Sequence, residues 1–434
     1  MRSHMSVKNQ VKWIKRDARY LFWTFSEQVA IMALPRLLLF PLAAYFIGKE
    51  QFGIFITALS VTLILGIQPQ NGLATGLIRH FSDYPEQQRA QFCRTSMRMC
   101  HWAMLIIIVV GLLGVAIVGV AEFAPWRILN CIIPLTISLY PENQFSLILT
   151  KNRFYRQFRQ RAMWSALRAI GILVCGFAGA LMGGSVGLAW GFMAGNTIVY
   201  AILRFRYRDW YKASYNPEMA SVLKTIWFQM TMAGVIAVSG PYLNRVILST
   251  IHSYSDTADL VAATSVMFLF TVPITCLGGL LLSMISKYSS VEQFSVRGKI
   301  LYILILLFGI AAMPMAFKLF GPCTVRLMFP KFGESSIELF GILIWVIPAQ
   351  TLICFSRPLV IKFAPIRIVP IINGVSMAAT LLPAICLIPH YATRGAAWAI
   401  LVGSGVTAIL WSTAATCVFL ERPLLKGRVF GQIK

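Results

Sequence analysis

The chain has 434 residues, of which 58% are apolar, and its 39 basic and 15 acidic residues give a formal net charge of +24. Only 12% of the residues are charged, about half the share of an ordinary globular protein, which excludes a typical soluble enzyme. The basic residues occur in short clusters between apolar runs rather than in one footprint, which argues against nucleic acid as a partner.

Apolar runs in chain order predict about a dozen membrane spans, since about 20 apolar residues cross a bilayer. A basic segment, 1–19, comes first, as an interfacial helix or a solvated tail. Six spans follow near 20–47, 52–78, 99–121, 127–150, 162–182 and 186–203. After a basic linker at 204–222, six more lie near 223–251, 260–285, 300–320, 337–356, 368–389 and 395–420, and a tail covers 421–434.

The predicted loops alternate in charge. Thirty of the 39 Lys and Arg residues fall on the side that holds both termini, and six fall on the other side. Short loops rich in Lys and Arg stay in the cytoplasm, so we expect both termini to be cytoplasmic. The nine cysteines form no CxxC pair and most lie in apolar runs, so we expect no disulfide framework, no metal and no cofactor.

An internal repeat relates the two halves of the chain. Residues 187–195 and 395–403 both read GxAWxxxxG, 208 residues apart, and nearly the same offset relates Arg36 to Asn244 and Arg245. The sequence therefore predicts an all-α polytopic membrane protein with two pseudo-symmetric six-helix bundles, 20–203 and 223–420, around a central cleft.

Two arginines lie deep within predicted spans. Arg36 is 16 residues beyond Tyr20, about 24 Å along a helix, and Arg245 occupies the outer half of span 7. A charge at the bilayer centre costs about 2.5 to 3.5 kcal/mol even on lenient scales, so intramembrane charges are candidates for function. Arg168, by contrast, begins span 5 and is expected to snorkel towards the cytoplasm.

Polar residues at helical spacing predict the lining of the cleft. On span 7, Tyr242 and Ser249 share the face of Arg245, and Asn244 precedes that arginine. Span 2 carries Gln68, Asn71 and Thr75, and span 8 carries Thr264, Thr271 and Thr275. Spans 1, 2, 7 and 8 are equivalent pairs under the repeat, so we place them all on the cleft.

Two carboxylates are candidates for coupling transport to an ion. Glu27 lies in span 1 and Glu142 in span 4, and each could equally form an ion pair with a neighbouring arginine. Glu27 and Arg36 are nine positions apart and face opposite directions on an ideal helix, so they share a cavity only if Pro35 distorts it.

The whole pattern resembles polysaccharide repeat-unit flippases of the O-antigen type, in the multidrug/oligosaccharidyl-lipid/polysaccharide (MOP) exporter superfamily. The resemblance rests on the twelve-span layout, Phe52-Gly53-Ile54-Phe55, Asn71-Gly72 with Arg79, and Asn244-Arg245. It implies movement of undecaprenyl-diphosphate-linked oligosaccharides across the bacterial inner membrane by alternating access. Arg36 and Arg245 would then hold the diphosphate or acidic sugars. A polysaccharide polymerase and a chain-length regulator are the implied protein partners. Asn244 stands where many relatives have an acid, which puts ion coupling there in doubt.

Other functions stay open at this point. A cation-coupled multidrug or metabolite antiporter would share the fold and depend on Glu27 or Glu142 rather than on the arginines. A lipid II flippase is a closer variant. A membrane glycosyltransferase or polymerase usually needs a large outer loop or catalytic carboxylates there, and the longest predicted outer loop, 321–336, has Glu334 as its only acid.

Overall fold

The computed structural model describes residues 22–66, 69–81, 84–121, 125–154, 157–208, 214–285, 318–365 and 367–419, together with residues 310 and 315. Across these segments the chain is helical between short turns and contains no strand. The predicted termini, 1–19 and 421–434, lie outside the described residues, as do loop 286–299 and most of span 9.

Eleven helices carry labels below. The first half holds α1 Phe22–Ile47, α2 Lys49–Leu65, α3 Pro69–His80, α4 Glu86–Val120, α5 Trp126–Phe154 and α6 Phe158–Arg206. The second half holds α7 Pro217–Ile251, α8 Tyr254–Ile285, α9 Gly333–Leu343, α10 Val346–Phe363 and α11 Ile368–Phe419. Residues 318–328 are also helical.

Local sequence determines several helix ends. Gly48, at φ 82°, ends α1, because a positive φ is accessible to glycine at little cost. Asn216 caps α7: its side-chain oxygen accepts hydrogen bonds from the backbone N–H groups of Glu218 and Met219. Pro217 occupies the first helical position, where its missing N–H removes no helical bond.

Seven helices in the described part of the chain are long and apolar enough to cross a membrane. The α2 and α3 helices, whose axes differ by 50° between Ile64 and Pro69, form an eighth candidate that corresponds to predicted span 2. The α4 helix begins at Glu86, well before the predicted start at 99, and α10 runs to Phe363 into a predicted loop. A helix satisfies its own backbone hydrogen bonds and therefore extends past the bilayer, so hydropathy alone places its ends poorly.

The two longest helices are each two spans joined at a break. The α6 helix has 49 residues and α11 has 52, each about twice the length of a span. Breaks at Gly183–Gly184 and at Ala392 divide them. These breaks lie between the predicted spans 5 and 6 and between spans 11 and 12, and they confirm both predicted boundaries.

The same backbone geometry recurs at both breaks. Gly184 has φ 59° and ψ −134°, and Ala392, 208 residues later, has φ 47° and ψ −123°. Beyond each break the helices return at backbone contact. A Cβ on Gly187 would lie 2.0 Å from the carbonyl oxygen of Gly179, and one on Gly395 would lie 2.4 Å from that of Leu387. The offset of the sequence repeat is therefore also the offset of a structural repeat.

Apolar packing joins the halves, and apolar surface faces outwards. The largest buried cluster contains Phe52 and Phe55 of α2 together with residues of α8 and α9. Ile106, Val110 and Ile117 of α4 are 62–68% exposed, the pattern expected where lipid is the solvent. The described chain is thus an all-α polytopic membrane protein.

Polar contacts also connect the halves at the ends of the helices that are poor in Lys and Arg. The ammonium of Lys49 lies 2.6 Å from the buried carboxylate of Asp259, which also accepts hydrogen bonds from Ser335 and Ser336, each at 3.2 Å. The ammonium of Lys331 donates to the carbonyl of Tyr45 at 2.7 Å. We call Lys49, Asp259, Ser335 and Ser336 the Asp259 cluster. It closes this side of the molecule between α2, α8 and α9.

Candidate functional site

Arg36 lies in a distorted part of α1. The helix is π-helical over Val29–Ala33 and again over Pro35–Leu39, so its turns are widened around the arginine. The guanidinium carbon lies 3.7 Å from the centroid of the Phe268 ring on α8. One buried nitrogen, Nη1, has no hydrogen-bond partner in the described structure. The side chain is therefore held over an aromatic face with donor capacity left unused.

Arg245 on α7 faces the same region from the other half of the chain. Its guanidinium lies 5.3 Å from the Tyr242 ring, and its Nε is buried without a hydrogen-bond partner. The two guanidinium groups lie near enough for their like charges to repel each other. Neither arginine has an ion-pair partner among the described residues. The structure thus brings together the two deep cations that the sequence singled out, at a place suited to an anion.

The predicted hydroxyl stripes bond within their own helices. Thr271 donates to the carbonyl of Phe268 at 2.9 Å, Thr75 to that of Asn71 at 2.8 Å, and Ser249 to that of Val246 at 2.9 Å. Each hydroxyl therefore donates its hydrogen bond within its own helix and keeps lone pairs that can accept another. These hydroxyls therefore leave no donor unsatisfied within the helices, and Thr271 and Ser249 are buried.

The two asparagines have different surroundings. Asn71 is exposed on α3 and lies near Gly234 of α7, at the junction of the two halves. Asn244 is fully buried and donates from its amide to the carbonyl of Ala396 on α11 at 2.9 Å. It therefore points away from the face of Arg245 and joins two helices of the second half. Gln68 lies outside the described residues.

Glu27 forms a buried ion pair with Arg161 at the start of α6. Both side chains are almost fully buried, and Arg161 keeps two further nitrogens without hydrogen-bond partners. Although the π-helical segments distort α1, Glu27 and Arg36 contact different neighbours. Glu27 joins α1 to α6, whereas Arg36 packs on α8.

Glu142 also has an arginine partner. Arg168 lies 2.8 Å from its carboxylate, donates to Asn196 at 2.7 Å, and lies 5.2 Å from the Phe145 ring. The prediction that Arg168 snorkels is wrong. The Glu142 carboxylate neutralises the charge of the guanidinium inside the protein, and the Asn196 side chain accepts a hydrogen bond from it. The Arg168 side chain therefore does not need to extend to the membrane interface.

Basic residues of two cavities were not predicted from the sequence. Arg357 follows an apolar run and was counted in a loop, but α10 continues through it. Arg357 lies 6.0 Å from the Trp411 ring in a cavity of about 170 Å³ that also exposes Asn373 and Thr380. In the first half, Arg94, Arg98 and Arg204 line a cavity of about 280 Å³. The sequence did carry one indication of these positions: helical spacing of apolar residues continues past the predicted ends of the spans.

The profile of a family described as polysaccharide biosynthesis protein matches residues 18–289, which is more than half of the chain. No curated protein matches the sequence significantly.

Solved structures share the fold across nearly the whole chain. The inward closed conformation of the lipid II flippase MurJ superposes with a TM-score of 0.69 at 13% identity, over 93% of this chain and 90% of that one. A MOP superfamily transporter from Pyrococcus furiosus, whose pocket of reverse polarity is said to suggest a different function, gives 0.68 at 12% identity, over 92% and 95%. An outward-facing multidrug resistance MATE transporter of the same superfamily gives 0.70 at 12% identity, over 93% and 96%.

These identities establish the fold and leave the substrate open. With its family match and its arrangement of helices, the chain belongs to the polysaccharide biosynthesis protein family and has the fold of the MOP superfamily transporters.

Proposed function

We propose that this protein moves undecaprenyl-diphosphate-linked oligosaccharide repeat units, of O-antigen or a similar polysaccharide, from the cytoplasmic to the periplasmic leaflet of the bacterial inner membrane. The observation that carries the proposal is the pair Arg36 and Arg245. They converge from α1 and α7, and no described carboxylate neutralises either of them. The family match to polysaccharide biosynthesis supports this class of cargo.

The chemistry of the pair suits a diphosphate. A guanidinium binds phosphate oxygens in a bidentate manner and keeps its charge at any physiological pH. In a region of low dielectric constant, the same charges repel an organic cation. The lipid tail can stay in the bilayer while the charged headgroup and sugars pass along the polar faces of α3, α7 and α8. This is transport by alternating access, and it requires no catalytic group.

Coupling through the carboxylates has less support. Glu27 and Glu142, the candidates for exchanging an ion, both bind arginines. A cation antiporter remains the second candidate because the MATE transporter shares the fold. A lipid II flippase would use the same diphosphate chemistry, and its cargo differs in the sugar and peptide portion attached to the diphosphate.

The test is mass spectrometry of lipid extracts from cells with and without the gene. We expect deletion to accumulate a diphosphate-linked oligosaccharide lipid and to remove polymeric surface glycan. The accumulated mass separates a repeat unit from lipid II. Complementation uses Arg36→Ala, Arg36→Lys, Arg245→Ala and Arg245→Lys, with protein level measured in the membrane.

The matched control is Arg394→Ala, since Arg394 is 60% exposed and already has an ion-pair partner, Glu338. The control is expected to restore glycan, and the four cleft variants are expected not to. Normal glycan in Arg36→Ala and Arg245→Ala at equal protein level contradicts the role of the pair. An unchanged lipid profile with new sensitivity to organic cations favours the antiporter.

A further inference from the structure

A polar cavity lies within the second half of the chain, around Arg357. It has a volume of about 170 Å³ and lies between α7, α10 and the two halves of α11. Each helix contributes one face, because the lining residues recur at helical spacing, as Gln350, Ile353 and Arg357 do on α10. Ligand sites of helix bundles are built in this way, from side chains on facing helices. We call it the second-half cavity.

Arg357 is the one cation among the described residues that line the second-half cavity. It is exposed, and its guanidinium lies 6.0 Å from the ring of the buried Trp411, which holds it in place. The described lining includes no Asp or Glu, and Arg357 forms no ion pair with a described residue. The guanidinium therefore presents its charge and its N–H donors to a molecule in the cavity.

Hydrogen-bond acceptors surround this cation. The hydroxyls of Ser376, Thr380 and Thr407 donate to backbone carbonyls of their own helix at 2.6–3.0 Å, so they offer lone pairs to a ligand. The amide of Asn373 donates to the carbonyl of Ala233 at 2.8 Å and keeps its side-chain oxygen as an acceptor. The cavity thus combines one strong cationic donor with several neutral acceptors.

The backbone of α7 adds a further acceptor and places the cavity near Arg245. Pro241 lies within α7 and has no N–H, so the carbonyl of Ala237, four residues earlier, lacks its helical donor. Both residues line the cavity. They precede Arg245 by four and eight residues on the same helix face, about 6 and 12 Å along the axis. The cavity therefore begins about one helical turn from an arginine proposed to hold the diphosphate.

These groups together define the chemistry of the ligand. Oxygen lone pairs repel a simple anion such as phosphate, and a neutral sugar leaves the guanidinium without a counter-charge. A sugar that carries a carboxylate satisfies both, because its hydroxyls donate to the acceptors and its carboxylate accepts from Arg357 in a bidentate manner. The volume corresponds to about five or six water molecules at roughly 30 Å³ each, which suits one sugar ring and not a chain.

We propose that the second-half cavity binds one carboxylate-bearing sugar of the transported oligosaccharide, with Arg357 holding the carboxylate. The inference rests on the proposed function for the identity of the cargo and adds its class, an acidic glycan. Arg36 and Arg245 then hold the diphosphate, while Arg357 selects the sugar.

The experiment measures thermal unfolding of the purified full chain in detergent, at constant ionic strength, in titrations with glucuronate, glucose and acetate. Glucuronate is expected to stabilise the protein at concentrations at which glucose and acetate do not. Arg357→Gln is expected to need about ten-fold more glucuronate for the same stabilisation, because it loses a hydrogen-bonded charge. Arg357→Lys keeps the charge without the bidentate geometry, so its response is expected to be intermediate.

The matched control is Lys362→Gln, which removes a cation from the same helix, five residues beyond Arg357 and outside the cavity lining. It is expected to respond to glucuronate like the unchanged protein. Equal stabilisation by acetate or by glucose overturns the proposal, and so does an equal loss in Lys362→Gln. If Arg357→Gln does not fold, Ser404→Leu fills the cavity and leaves the arginine in place. An unchanged response in that variant also overturns the proposal.

The lipid extracts separate this inference from the proposed function. If deletion accumulates an oligosaccharide lipid whose mass includes no acidic sugar, the flippase function stands and the acidic-sugar assignment is wrong. If no oligosaccharide lipid accumulates, the proposed function fails. Stabilisation by glucuronate that is lost in Arg357→Gln still identifies the cavity as an acidic-sugar site in that case, because binding to the purified chain does not require transport.

Discussion

The guanidinium carbon of Arg36 lies 3.7 Å from the ring centroid of Phe268, so a cation of α1 is held on an aromatic face of α8. A desolvated contact of this kind contributes about 2 kcal/mol. It holds the charge in place while Nη1 keeps an unused hydrogen-bond donor. A carboxylate in the place of Phe268 would instead neutralise the arginine.

Removing the aromatic face is expected to impair transport without removing the charge. Phe268→Leu deletes the cation–π contact of about 2 kcal/mol and lets the guanidinium move, whereas Phe268→Tyr keeps an aromatic face. We expect less surface glycan with Phe268→Leu and near-normal glycan with Phe268→Tyr, measured at equal membrane protein level. Equal glycan with both variants would show that the ring does not position Arg36.

Glu27→Gln is expected to destabilise the fold by about 3–5 kcal/mol, because it leaves the buried Arg161 without its counter-charge. The measurement is thermal unfolding of the purified protein. Glu27→Leu combined with Arg161→Met removes both charges and should recover part of the loss. A Glu27→Gln protein of normal stability, whose transport no longer depends on a pH or sodium gradient, would instead identify Glu27 as the coupling group.

Glu142→Gln is expected to have a smaller effect on stability than Glu27→Gln. Its carboxylate side chain is 27% exposed, and its partner Arg168 also bonds Asn196 and lies near the Phe145 ring. The charge left behind is therefore partly compensated. The same unfolding measurement compares the two variants directly, and a loss as large as that of Glu27→Gln would contradict this ranking.

Asp259→Asn is expected to loosen the closed side of the molecule. The variant loses the 2.6 Å ion pair to Lys49 while its two serine contacts persist in weaker form. Hydrogen exchange should accelerate in the peptides covering 254–262 and 333–343. Glu338→Gln breaks the exposed pair with Arg394 and serves as the control, because such pairs contribute little. Unchanged exchange in Asp259→Asn would mean that apolar packing alone closes this side.

Ala392→Gly is expected to stabilise the protein by about 1–2 kcal/mol. A φ of 47° with ψ −123° is a conformation that glycine adopts freely and other residues adopt with strain. Gly184→Ala is the converse change, and its new Cβ would lie 2.1 Å from Oε1 of Gln51. Thermal unfolding should show opposite shifts for the two variants. A loss of stability with Ala392→Gly would show that the turn is not strained.

The sequence predicted features that depend on local pattern. The hydropathic runs and the GxAWxxxxG repeat placed the breaks in α6 and α11 correctly, because a turn between two spans needs only a few residues. The placement of Arg36 and Arg245 in spans 1 and 7 followed from the same pattern. The residues that each arginine contacts could not be predicted from that pattern.

Long-range contacts account for what the sequence did not show. Arg161 is 134 residues from Glu27, and Ala396 is 152 residues from Asn244. No periodicity relates such positions, so the partner of Glu27 and the orientation of Asn244 emerge only from packing. The cavity lined by Arg94, Arg98 and Arg204 could not be predicted for a related reason: these arginines fall in separate predicted loops, and helix packing brings them together.

The backbone contacts of Gly179 with Gly187, and of Leu387 with Gly395, have a consequence for motion. Helices this close have no side chains between them that could change rotamer and let one slide past the other. The two halves of α6 must therefore move together as a rigid body, and so must the two halves of α11. The alternating access proposed above then requires its displacement at the contacts between these helix pairs and their neighbours, where α2 and α3 meet α7 and α8.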